Sequence, residues 1–149
     1  MLLEQKLEED LITEFEKLNL ENCQIISSRQ KNKTEDESYT SLLAVVVGTR
    51  SHDAFSLSPI TIQVSLSLVS RIEDDTDGTN HCSNVEKILN LLSKWHFRSE
   101  LISCLDSEKF HAGELRLNGG SGTVFDSTNR VYSDTISFTI RGAEIFTEE

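Results

Sequence analysis

Residues 60–70 alternate with a period of two. Ile60, Ile62, Val64, Leu66 and Leu68 are separated by Thr61, Gln63, Ser65, Ser67 and Val69. Successive side chains of a strand point to opposite faces, so this run makes one apolar face and one face of hydroxyls and an amide. A strand of this length needs a sheet beside it and an apolar layer over one face. Its second face carries no charge. That face suits water, another sheet or another subunit.

The closing segment has the same pattern. Ile136, Phe138 and Ile140 alternate with Thr135, Ser137, Thr139 and Arg141. Between the two alternating runs lies an S-x-x-E pattern, Ser83 to Glu86, that predicts a capping box opening a helix near residues 83–95. Val85, Ile88, Leu89, Leu92 and Trp95 form its apolar stripe. Residues 1–19 predict a second amphipathic helix through Leu3, Leu7, Leu11, Phe15 and Leu18, with Asn19 and Asn22 as a stopping point. That helix packs on a sheet or docks on a neighbouring subunit. Leu42 to Val47 is a short apolar run that reads as a strand covered on both faces. Cys23 to Ser28, Leu115 to Leu117 and Val124 to Phe125 are short strand candidates. The only proline, Pro59, is expected just before a strand.

Arg29 to Ser38 holds almost no apolar side chain and predicts a mobile loop. Gly48 to Ser58 and Arg71 to Asn80 read as polar connections, and Asn118 to Gly122 as a turn. Residues 96–110 show no decisive period. The expected fold is therefore α+β, a single domain over 1–149, with a largely antiparallel sheet packed against two helices.

Charge narrows the function. The chain has 149 residues, 14 Lys and Arg against 25 Asp and Glu, and a formal charge of −11. Polyanion binding needs a positive surface, so generic nucleic-acid or anionic-membrane binding is not expected. The three cysteines, Cys23, Cys82 and Cys104, are far apart and read as buried or half-buried thiols in a reducing compartment. The acidic residues among the first ten break any secretory h-region, and no stretch reaches the length of a membrane span. A soluble protein made in a cytoplasm is the expectation.

Candidate chemical sites are weak. Glu73, Asp75, Asp77 and Gly78 resemble the start of a calcium loop, but the twelfth position is Asn84 rather than Glu. A solvated acidic loop is the simpler expectation. His81, Cys82, Cys104 and His111 lack zinc-module spacing. No Ser or Cys lies in a nucleophile motif, and Gly119 to Gly122 lacks the lysine of a phosphate loop. No enzyme, cofactor or metal is expected.

The run Ile60 to Arg71, the acidic loop after it and the helix Val85 to Trp95 resemble the middle of a tail terminator, or tail-completion protein of the neck, from tailed bacteriophages. The leading amphipathic helix and the segment Tyr132 to Gly142 resemble the ends of that family. The resemblance implies a virion protein that forms a ring, usually a hexamer, at the head-proximal end of the tail tube. It implies partners in the tube protein, in the neck or connector, and in further copies of itself, with DNA passing through the ring without specific binding. Acidity fits a channel that repels phosphate. Candidate assembly contacts are Arg29, Lys31, Lys33, Gln63, Ser65, Ser67 and Arg71. The alternative is a small acidic binding or inhibitor module acting on a basic protein.

Overall fold

A computed structural model describes residues 2–27, 38–53, 56–120 and 122–145, with side chains left undescribed at 53–58. The expected loop at 29–38 lies almost wholly outside the described residues.

The first helix, α1, spans Leu3–Glu16. Leu3, Leu7, Leu11 and Phe15 recur every fourth residue and are buried in the core. Asn19 and Asn22 both adopt positive φ, so the helix stops where two residues tolerant of the left-handed region stand. Strand β1 is Cys23–Ser27 and β2 is Ser41–Val47. β2 is not covered on both faces: Leu43, Val45 and Val47 are buried while Val46 is 41% exposed. Its apolar run is continuous because the uncovered face is also aliphatic.

The segment expected to connect β2 to the long strand contains β3, Ser51–Asp53. The long strand, β4, spans Ser56–Arg71 and takes Pro59 inside it. β5 covers Phe110–Gly120, well beyond the Leu115–Leu117 core of the expectation, and two bulges interrupt its pairing. Gly119 and Gly120 belong to this strand, opposite Ser137 and Ile136. β6 is Val124–Asp126 and β7 is Val131–Glu144.

The sheet order is β1-β2-β4-β7-β5, with β3 beside β4 and β6 beside β7. Among the described residues, only β1 and β2 run parallel. The fold is thus single-domain α+β with a largely antiparallel sheet.

The second helix, α2, spans Thr79–Phe97 and starts a turn before the expected Ser83. Three features start it early. Gly78 turns at φ 71°, Asp75 accepts the backbone N–H groups of Asn80 and His81, and Asp77 accepts that of Thr79. Ser83 therefore falls inside the helix. Ile88, Leu92 and Trp95 bury on the sheet, extended by His81 and Asn84 at helical spacing. The indecisive stretch holds a 3-10 turn, Ser99–Leu105, which buries Ile102 and Leu105. Its three-residue period is what hid it.

α1, α2 and this 3-10 turn share one core with the even-numbered residues of β4 and β7. Among the described residues, α1, α2 and this 3-10 turn pack against the same side of the sheet. At one end, Arg50 places Nε 2.7 Å from Glu4 Oε1 and Nη2 2.9 Å from Glu4 Oε2 while Nη1 bonds Glu144, tying α1 to the end of β7.

Candidate functional site

The core face of the sheet is apolar through its middle, and at the end away from the Arg50 cluster it turns polar again. In β4 the inward parity Ile60, Ile62, Val64, Leu66, Leu68 reaches Ser70. In β7 the parity Ile140, Phe138, Ile136 reaches Asp134. α2 brings His81 between them. Ser70 Oγ lies 2.6 Å from His81 Nδ1, and His81 Nε2 lies 2.7 Å from Asp134 Oδ2. Ser41 Oγ is 2.7 Å from Ser70 Oγ, and Thr123 Oγ1 donates to Asp134 at 2.8 Å. A carboxylate only accepts, so Nε2 carries the proton toward Asp134, and in the neutral imidazole Nδ1 then accepts from Ser70.

The order serine, histidine, aspartate is that of an acyl-transfer triad. Its burial is not that of one. Ser70 and His81 are 0% exposed and Asp134 is 4% exposed. The Ser70 hydroxyl sits among side chains with no approach for a carbonyl. In this arrangement the chain acts as a polar strut joining β2, β4, β7, α2 and the segment before β6. Satisfied buried networks of this kind specify one packing. The Tyr132 ring packs beside His81, and its hydroxyl donates to the Thr76 carbonyl.

Sequence reasoning placed His81 only in a zinc grouping. The signal it passed over was parity, since Ser70 and Asp134 continue the buried rows of their strands. The structure separates the proposed zinc ligands: His81 is buried, while Cys82, Cys104 and His111 are exposed. Two of the three thiols are thus exposed rather than buried or half-buried. Cys23 is the half-buried one, and burial pushes its thiol up to about 12. Glu73, Asp75 and Asp77 do not form a calcium loop either. Glu73 lies in a 3-10 turn, and the two aspartates cap α2. Asp75 is buried rather than solvated. Among the described residues, no group of three or more His, Cys, Asp or Glu could hold a metal ion.

Among the described residues, the other side of the sheet has no helical layer. There the register aligns Ala44, Ser67 and Thr135 in one row, and Val46, Ser65 and Ser137 in the next. Gln63 pairs with Thr139 beyond them, and Leu42 with Val69 before them. Charge appears only toward the ends. Arg141 lies opposite Thr61 on one side and Glu114 on the other, with Arg116 one row away. Arg71 stands at the far end, 3.0 Å from Asp74, and donates to the Tyr39 carbonyl.

Of the expected assembly residues, Gln63, Ser65, Ser67 and Arg71 thus share this outer face. Arg29, Lys31 and Lys33 lie outside the described residues. Sequence reasoning did not place Ser137 and Thr139 beside them, because register is a tertiary property.

These features define an α+β protein with a sealed polar strut and, among the described residues, one sheet face without a helical layer. No known protein-family model matches the sequence, and no curated protein matches it. Among the described residues, no helix is long and apolar enough to cross a membrane.

Proposed function

We propose that the protein is a ring-forming structural subunit of a phage virion, a tail terminator at the head-proximal end of the tail tube. One observation carries this: the helices crowd one side of the sheet and leave the opposite face uncharged through its central rows. A formal charge of −11 opposes self-association, and an uncharged face adds least to that repulsion. Hydroxyl and aliphatic rows also lose little on dehydration compared with charged ones.

Function in this reading is shape and contact. The ring caps the tube, stops its growth and presents a surface to the neck or connector. Its acidic surface lets DNA pass without sticking, because carboxylates repel phosphates. The sealed Ser70–His81–Asp134 strut holds the sheet in one curvature and takes part in no bond chemistry.

Deleting the coding sequence from its genome tests the reading. Headless particles with tails of uncontrolled length are expected. Infectious particles with tails of normal length would contradict it.

A further inference from the structure

The last turn of α1 holds no basic residue. Its final residue, Glu16, sets a carboxylate beside helix carbonyls that already carry partial negative charge. Two lysines stand in this region, and both are paired. Lys17 is 3.0 Å from Glu14, and Lys87 is 3.0 Å from the Asn19 carbonyl and 3.6 Å from Glu21. Among the described residues, Glu16 has no ion pair. A helix end left in this state attracts a cation.

Beside it lies a cleft. Asn19 and Asn22, both at positive φ, turn the chain sharply from α1 into β1, the outermost described strand of the sheet order. The cleft between the end of α1, β1 and Tyr39 holds about 520 Å³, the size of a small-ligand pocket. Leu20, Cys23 and Ile25 line it and also pack on the core, so its floor is apolar and fixed. Glu16, Asn19 and Tyr39 supply its polar groups. Among the described residues, no hydrogen bond engages the Glu16 carboxylate, the Asn19 side-chain amide or the Tyr39 hydroxyl. The backbone of Tyr39 is held in place. Its carbonyl accepts from Arg71 at 2.9 Å, and Arg71 is in turn 3.0 Å from Asp74.

We infer that this cleft binds a small organic cation, a protonated amine joined to a short apolar or aromatic body. An ammonium has donors and no acceptor. The Glu16 carboxylate and the Asn19 amide oxygen accept from it, and the negative end of α1 adds to the attraction. The Tyr39 ring offers a cation–π face, and the apolar body covers Leu20 and Ile25. An anionic ligand would meet Glu16 and the helix end with like charge. The inference goes beyond the ring reading and is independent of the outer sheet face.

The probe is phenethylamine, titrated at neutral pH into the full isotope-labelled chain and followed by NMR. Saturable shifts at the amides of Leu20, Ile25 and Tyr39 are expected by about millimolar concentration. Phenethyl alcohol, which keeps the shape and loses the charge, should bind about tenfold more weakly. Glu16→Gln and Tyr39→Leu should each weaken the amine by about fivefold, and added salt should weaken it too. Both side chains are exposed, so circular dichroism should stay unchanged. Glu16→Gln should also keep the melting temperature, because it removes a carboxylate from the negative end of α1. Loss of binding is thereby separated from loss of fold. No saturation by about ten millimolar overturns the inference. Equal binding of the alcohol overturns it, as do shifts scattered over other acidic surfaces or a Glu16→Gln variant that binds like the wild type. N-acetyl-lysine methylamide carries the same cation as a protein side chain would. Tighter binding of that compound than of phenethylamine would give the cleft to a protein partner and overturn the small-ligand assignment.

Discussion

His81 Nε2 lies 2.7 Å from Asp134 Oδ2, a helix-to-strand bond closed to solvent on both sides. Neither partner can be replaced by water without opening the core. Asp134→Ala leaves the imidazole N–H buried without its acceptor and should cost about 1–3 kcal/mol in urea unfolding. Ser70→Ala removes a neutral hydroxyl bond and should cost about 1–2 kcal/mol. The double variant should cost less than the sum, since the two share His81. Additive losses would show that the three residues do not act as one network.

Glu4 links α1 to Arg50, whose guanidinium bond holds the carboxyl below the usual carboxylate range. A carboxyl lowered on folding contributes fully above its unfolded pKa of about 4.3 and fades as pH falls through the lower folded value. Acid unfolding should therefore include a component below about pH 4.3. Glu4→Gln should flatten that limb and cost about 2 kcal/mol at neutral pH. An acid limb unchanged in the variant would assign the transition to other carboxylates.

Gly142 lies in β7 where a Cβ would overlap the His111 carbonyl and come within 2.6 Å of the Phe110 ring. Neither neighbour can yield, because one is backbone and the other is a buried ring. Gly142→Ala should destabilise by about 3 kcal/mol, measured by thermal or urea unfolding. A neutral effect would mean β5 and β7 are less closely packed than described.

Thiol reactivity separates the cysteines. Cys82 and Cys104 are exposed, while burial holds the Cys23 thiol far above neutral pH. A chromogenic disulfide reagent at neutral pH should modify two thiols in the native protein and the third only on unfolding. Fast modification of Cys23 in the native protein would contradict the burial of its thiol.

Much of the fold was legible because its signals are local. The alternation through Ile60 to Leu68 and Ile136 to Ile140, and the four-residue recurrence in α1, each report a face that the structure buries. What was illegible depends on distant partners. The α2 start was misread because Ser83 and Glu86 match a capping box, whereas Asp75 and Asp77 reach forward from a turn and cap the helix first. β2 was misread as doubly covered because an aliphatic outer row looks like a second buried face. Ser70, His81 and Asp134 are far apart in sequence, and only the pairing of β4 with β7 and the docking of α2 bring them together. The outer face was half legible. Gln63, Ser65 and Ser67 announced it, but their neighbours on β2 and β7 came from register.

The central claim is that the uncharged outer face assembles the protein at the tail end. Its most direct test is tail length in phage deleted for this chain and complemented with Ser65→Glu and Ser137→Glu together. These two residues oppose each other across β4 and β7 on the outer face and touch no core residue's row. The account predicts a folded, monomeric protein and tails of uncontrolled length, as in the deletion. Normal tail lengths restored by this variant would contradict it.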